Sequence, residues 1–136
     1  MAVRFFNDGV SFQPEGKRKI SQWLKQAAAK EGKKTGRLNF IFVSEEIILD
    51  INKKYLHHHH YTDIITFDYS EGDTVSGEMY ISVDTVRSNA KAYRVDFRNE
   101  LLRVMVHGVL HLCGYRDHTA GERREMREKE DQYLKN

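Results

Sequence analysis

The sequence predicts an α+β domain: a small mixed four-stranded sheet with helices packed on it, in the order βαβαββααα, and a metal site on a C-terminal helix. Three observations predict it. Short segments of alternating or continuous apolar residues are interleaved with longer ones whose apolar residues recur every three or four positions. Two of the short segments follow one another through a turn-forming stretch, the mark of a hairpin. The last third of the chain has helical periodicity only, and it carries two histidines, His107 and His111, at helical spacing.

Taken in order, "AVRFFN" reads as a short strand. Pro14 precedes "EGKRKISQWLKQAAAK", a helix with Ile20, Trp23, Leu24, Ala27 and Ala28 on its apolar face. Gly32 and Gly36 bracket a basic turn, and "RLNFIFV" is a strand with Leu38, Phe40 and Phe42 on one side. Ser44 can cap the helix "EEIILDINKKYL", whose Ile47, Ile48, Ile51 and Leu56 point inward and whose Glu45 and Glu46 suit the helix dipole. After the loop "HHHHYTD", "IITFDYS" and "GEMYISV" are strands joined through "EGDTVS". "DTVRSNAKAYR" and "FRNELLRVMVHGVLHLC" are helices with Asp84 and Asp96 as candidate caps, the second stopped by Gly114. "AGERREMREKEDQYLK" is a charged final helix.

At 136 residues the chain is expected to form one domain spanning 1–136. The lone Cys113 excludes an internal disulfide and suits a reducing, cytoplasmic setting. No apolar run nears the roughly 18 residues of a membrane span, and "MAVRFFNDGV" lacks the apolar core of a signal peptide, so no membrane partner is expected. Residues 1–37 hold nine of the 22 Lys and Arg but only three of the 20 acids. Lys17, Arg18, Lys19, Lys25, Lys30, Lys33, Lys34 and Arg37 suit a phosphate-attracting face, although an ordinary solvated helix with a Lys-rich loop after it accounts for them more simply.

The stretch "HGVLHLCGYRDH" carries the chemistry. Residues four apart on a helix differ by about 40° around the axis and ~6 Å along it, so His107 and His111 present two imidazoles to one ion. Apolar Leu101, Val104, Met105, Val109 and Leu112 occupy the other faces and fix the rings' direction. Gly114 lets the chain turn back, and a third donor six or seven residues after His111, Asp117 or His118, completes three corners of a tetrahedron. The open fourth corner is the catalytic rather than the structural pattern of zinc. Zinc proteases share the spacing but carry a Glu general base where this chain has Gly108. Cys113, two residues past His111, points to the far side and reads as a buried thiol.

These residues resemble the YbeY family, metal-dependent endoribonucleases of ribosomal RNA maturation. "HGVLHLCGYRD" follows the family's H-G-x-L-H-L-x-G-Y-x-H except at the last letter. "INKKYL…TDIITF" follows L-N-x-x-Y-R…T-D-V-L-S-F, and "GEMYISVDTV" follows G-D-I-x-I-S; the similarity runs over residues 38–134 without a gap. The resemblance implies one Zn2+ ion held by His107, His111 and a third ligand, and a single-strand-specific cut in RNA. It further implies work at the 16S 3′ end and in ribosome quality control, with the small ribosomal subunit and its assembly proteins as partners.

Departures from the pattern matter. Asp117 stands at the family's third histidine; it is preferred as a ligand because it needs no change of register, with His118 as the alternative. Leu56 replaces an arginine and Tyr61 a proline, while Glu78 for Asp and Thr66 for Ser are mild. The run His57, His58, His59 and His60 is read as a solvated loop; protonated, its imidazoles could stand in for the missing arginine at a phosphate. Thr62 and Asp63 are placed near the site by the resemblance, or else cap a turn. Arg103 and Glu100, one and two turns before His107, are either solvated or in contact with RNA or with the groups around the ligands. Tyr61, Tyr69 and Tyr115 could stack on unpaired bases. The reading is a zinc-dependent endoribonuclease, set against a metalloprotease-like hydrolase and a non-enzymatic assembly factor with a structural ion.

Overall fold

The computed structural model describes residues 3–56 and 62–135. Along the chain run β1 (Val3–Asp8), α1 (Lys17–Lys30), β2 (Lys34–Val43), α2 (Glu45–Leu56), β3 (Ile64–Asp68), β4 (Thr74–Ser82), α3 (Val83–Tyr93), α4 (Phe97–Leu112) and α5 (Ala120–Leu134). The four strands form one sheet in the order β1-β2-β4-β3, with β1, β2 and β4 parallel and β3 antiparallel to β4. The mixed sheet and the order βαβαββααα are those the sequence predicts. His57 to His60 and Tyr61, and the side chain of Leu56, lie outside the described residues.

Alternation along β2 divides the interior. Leu38, Phe40 and Phe42 are buried on the face covered by α1 and α4, while Ile41 and Val43 turn to the other, where Ile48 of α2 packs with Ile65 of β3. Helix α4 lies between the sheet and α5. It buries Leu101, Val104, Met105, Val106, Val109, Leu110 and Leu112, so it is apolar nearly all round, as a central helix must be.

Several local boundaries differ from the sequence reading, each for a hydrogen-bonding reason. Thr74 begins β4 because it and Glu71 exchange both backbone bonds at 2.9 Å, which shrinks the expected "EGDTVS" connection to Gly72 and Asp73. β2 likewise starts at Lys34, whose N–H donates to the Asp73 carbonyl at 2.7 Å. Val83 opens α3 instead of closing β4; Ser82, not Asp84, is the cap, accepting from the Thr85 N–H at 3.2 Å. Asp96 occupies the cap position of α4 without a side-chain bond. Ser44 caps α2 as expected, accepting from Ile47 N–H at 3.3 Å.

Helix α5 is more than a solvated face. It buries Met126, Glu130 and Tyr133, and the Tyr133 carbonyl accepts from the Trp23 indole at 3.0 Å. Its strongest tie to α1 is Glu31, whose side chain is 10% exposed. That carboxylate accepts from the Tyr115 hydroxyl at 2.7 Å, from the Lys129 ammonium at 3.2 Å and from the Tyr133 hydroxyl. Burial pushes the Glu31 carboxyl up, but the bonds from Tyr133, Tyr115 and Lys129 outweigh it and hold its pKa below 4.5.

Glu31→Gln should therefore destabilise the fold by about 1–3 kcal/mol at neutral pH. A depressed folded-state pKa gives stability that is complete above the ordinary carboxylate value and lost as pH falls through the folded one. Denaturant titrations should show the wild-type advantage at pH 7 and its erosion below about pH 4.5; a pH-independent gap would contradict the assignment.

Candidate metal centre

The site is built at the end of α4. His107 and His111 project from one side of the helix with ring centroids 4.9 Å apart. Gly114 (φ 109°) takes a conformation that side chains resist, and the chain folds back. Its N–H bonds the His111 carbonyl at 3.0 Å, while Tyr115 N–H reaches Leu110 at 3.1 Å, the paired closure of a Schellman motif. With the Tyr115 hydroxyl anchored on Glu31, the next turn of chain has a fixed path. It brings Asp117 Oδ2 to 3.4 Å from both His107 Nε2 and His111 Nε2.

His118 goes elsewhere. It is exposed, its N–H donates to Glu122 at 3.1 Å and its carbonyl accepts from Arg123 at 2.9 Å, so it belongs to the start of α5. There Thr119 and Glu122 form a capping box, a T-x-x-E pattern present in the sequence. Among the described residues, His107, His111 and Asp117 form the group whose donor atoms all lie within 4.8 Å of one another. Tetrahedral ligands at about 2.0–2.1 Å from an ion are about 3.3 Å apart, so two imidazoles and a carboxylate at these spacings suit zinc.

The ring of His107 is held from behind. Glu130 Oε2 lies 2.6 Å from its Nδ1, and Glu130 Oε1 accepts from Arg103 at 2.9 Å. Arg103 also bonds Asp131 at 2.6 Å. With the proton on Nδ1 toward Glu130, the Nε2 lone pair faces Asp117 and is free for an ion. Burial lowers the His107 pKa, but the Glu130 bond and charge outweigh it, with help from Asp117 and Asp63, and the net shift is upward. His111 is shifted down, by burial and then by its neighbour His107.

Glu130 was not singled out from the sequence, which treats α5 as a charged exterior. The signal was the spacing of Met126, Glu130 and Tyr133, one helical stripe with an acid in the middle. Glu100 and Arg103, for which solvation was an equal explanation, are instead drawn in: Glu100 is 5% exposed and the Arg103 side chain 19%.

A cleft of about 290 Å³ opens beside the candidate ligands His107 and Asp117, with Asp63, Glu100 and Arg103 in its wall. Burial pushes the carboxyls of both Asp63 and Glu100 up, against the pull of His107 on the first and of Arg103 on the second. Asp63 thus stands where the resemblance puts it. Of the tyrosines expected at bases, Tyr115 is committed to Glu31, and Tyr69 follows the end of β3 remote from Asp63. The basic residues Lys17, Arg18 and Lys25 of α1 flank β1, at the opposite edge of the sheet from β3. Cys113 is half-buried rather than fully so, and burial pushes its thiol up to about 11, leaving a poor ligand.

Gly108 sits on the side of α4 that meets the sheet. A Cβ there would lie 3.0 Å from Ile64 Cδ1 and 3.1 Å from the Met79 sulfur. The position that holds a protease's general base therefore faces packed apolar side chains, away from the two imidazoles.

Comparison with known proteins shows the family. The family profile described as "Endoribonuclease YbeY" matches residues 5–136. The chain belongs to the YbeY family. Endoribonuclease YbeY of Parabacteroides distasonis is 46% identical over 134 residues, 98% of this chain and 94% of that protein. The Bacteroides thetaiotaomicron YbeY is 47% identical over 134 residues, covering 98% of each. The solution structure of TM1509 from Thermotoga maritima superposes with a TM-score of 0.69 at 31% identity, over 98% of this chain and 87% of that one.

Zinc titration should separate the two candidate third ligands. Asp117→Ala should lose tight zinc binding, His118→Ala should retain it, and Glu130→Gln should weaken it by about 10–100-fold through the loosened ring. Tight binding by Asp117→Ala and loss in His118→Ala would reverse the assignment. Gly108→Glu should not fold to a soluble protein, because it forces a charge between α4 and the sheet; a folded, peptide-cleaving variant would refute the packing argument.

Proposed function

We propose that this YbeY-family chain is a one-domain, zinc-dependent endoribonuclease, spanning residues 1–136, that cuts RNA. Its substrate on this reading is ribosomal RNA near the 16S 3′ end, met unpaired and in the cytoplasm on the small ribosomal subunit with its assembly proteins. The observation that carries the proposal is the convergence of His107, His111 and Asp117 beside a cleft, in a chain similar over nearly its full length to proteins named endoribonucleases.

Each side chain has a definable task. His107, His111 and Asp117 hold the ion, and Arg103 and Glu130 hold His107. When bound, zinc supplies Lewis acidity, which makes water a stronger nucleophile at neutral pH and stabilises charge on a scissile phosphate. Asp63 and Glu100 face the cleft with pKa values raised by burial, a state in which a carboxyl can exchange a proton nearer neutrality. The exposed cations of α1 attract the polyanion without reading its sequence.

The rival readings are less well supported. A protease needs a base where Gly108 packs against Met79. A purely structural ion calls for four protein donors, and among the described residues the converging group has three, His107, His111 and Asp117.

The test is cleavage of a single-stranded RNA by the zinc-loaded protein, with casein as a control. His111→Ala should cut no RNA while keeping a melting temperature within a few degrees of wild type. Cleavage by that variant at the wild-type rate would overturn the mechanism.

A further inference from the structure

Three features of the cleft are not used by the mechanism above: Tyr93, Arg123 and Arg127. Tyr93 is the last residue of α3 and is 59% exposed, although it lines the same cleft as His107 and Asp117. Its position is not that of a loose surface group. The chain reverses immediately after it through Arg94 at φ 57°, with Arg94 N–H bonded to Lys91 at 3.2 Å and Val95 N–H bonded to Ala90 at 3.0 Å. The backbone at Tyr93 thus has a fixed path, and an exposed aromatic side chain stands on a polar cleft.

Arg123 and Arg127 are successive turns of α5 along the same mouth, and both are exposed. Arg123 spends one N–H on the His118 carbonyl, and Arg127 forms no ion pair among the described residues. Arg103, the third guanidinium of the cleft, is paired with Glu130 and Asp131. The acids Asp63 and Glu100 line the same cleft, so an anion held there depends on the guanidinium groups of Arg123 and Arg127.

The geometry points to a nucleotide subsite next to the metal centre, in which one unpaired base stacks on Tyr93 and its phosphate is held by Arg127 and Arg123. A cleft of about 290 Å³ has room for one splayed-out nucleotide, the form in which unpaired RNA is read. It also supplies phosphate contacts that the chain, with Leu56 in the place of the family's arginine, otherwise lacks on the motif before β3. Base–aromatic stacking tolerates any sequence, whereas arginine contacts to phosphate make binding salt-dependent. This inference rests on the endoribonuclease reading for its choice of ligand, but not for the subsite's position.

The test uses zinc-loaded protein and a fluorescently labelled, single-stranded oligodeoxynucleotide, with affinity read by anisotropy, beside cleavage kinetics on the matching RNA. Tyr93→Ala should weaken binding by about 5–100-fold, and Tyr93→Phe should restore it, since stacking needs the ring and not the hydroxyl. Arg127→Ala should weaken binding and lower the slope of log Kd against log salt by about 0.7. Zinc affinity and melting temperature should stay at wild-type values in all three. If Tyr93→Ala binds and cuts like wild type, or if Tyr93→Phe loses as much as Tyr93→Ala, the subsite is wrong while the nuclease stands. If wild type cuts no RNA but Tyr93→Ala still weakens oligonucleotide binding, the nuclease reading falls and the subsite survives.

Discussion

The constraint on which the rest depends is the burial of α4. Packed between the sheet and α5, it buries apolar side chains from Leu101 to Leu112 and carries Glu100, Arg103, His107 and His111 along one line. A helix so enclosed cannot rotate or slide without opening cavities, each costing several kcal/mol. Two imidazoles on its one polar stripe are therefore held in direction before any ligand arrives. Gly108 contributes by letting the helix approach Ile64 and Met79 closely, and Gly114 by turning the chain so that Asp117 comes over the same stripe.

What α4 leaves incomplete, α5 supplies. A buried carboxylate such as Glu130 costs several kcal/mol unless it is paired, and here Arg103 and His107 both pair with it. The pairing works in two directions: it makes the burial of Glu130 tolerable, and it fixes which nitrogen of His107 is available. Glu31 plays the corresponding part for the neighbouring residues of α5, where Tyr115, Lys129 and Tyr133 meet on one carboxylate. The stability of the fold and the aim of the site thus share the same helix.

Much of this was readable from residues alone, because short-range rules govern it. The alternation of Leu38, Phe40 and Phe42 and the i, i+4 histidines depend only on local period, as does the glycine after the helix. The choice of Asp117 over His118 was legible as a preference, since one register needed no extra residue; the structure brings Asp117 to the imidazoles and turns His118 outward. The role of Glu130 was not legible, because it pairs with residues 23 and 27 positions away and sits in a helix whose composition suggests solvent. The start of β4 was missed for a related reason: reciprocal bonds between Glu71 and Thr74 outweigh a turn-like composition. Tyr93 was passed over because an exposed tyrosine at a helix end becomes interesting only once α5 is seen beside it.

The central claim is that a single ion is held by two turns of one buried helix and the bend that follows. Anomalous diffraction at the zinc absorption edge, from crystals grown with zinc, tests it most directly. The account predicts one strong peak within about 2.0–2.2 Å of His107 Nε2, His111 Nε2 and an Asp117 oxygen, with Cys113 and His118 outside bonding range. No peak at that position, or one that includes His118 in place of Asp117, would contradict it.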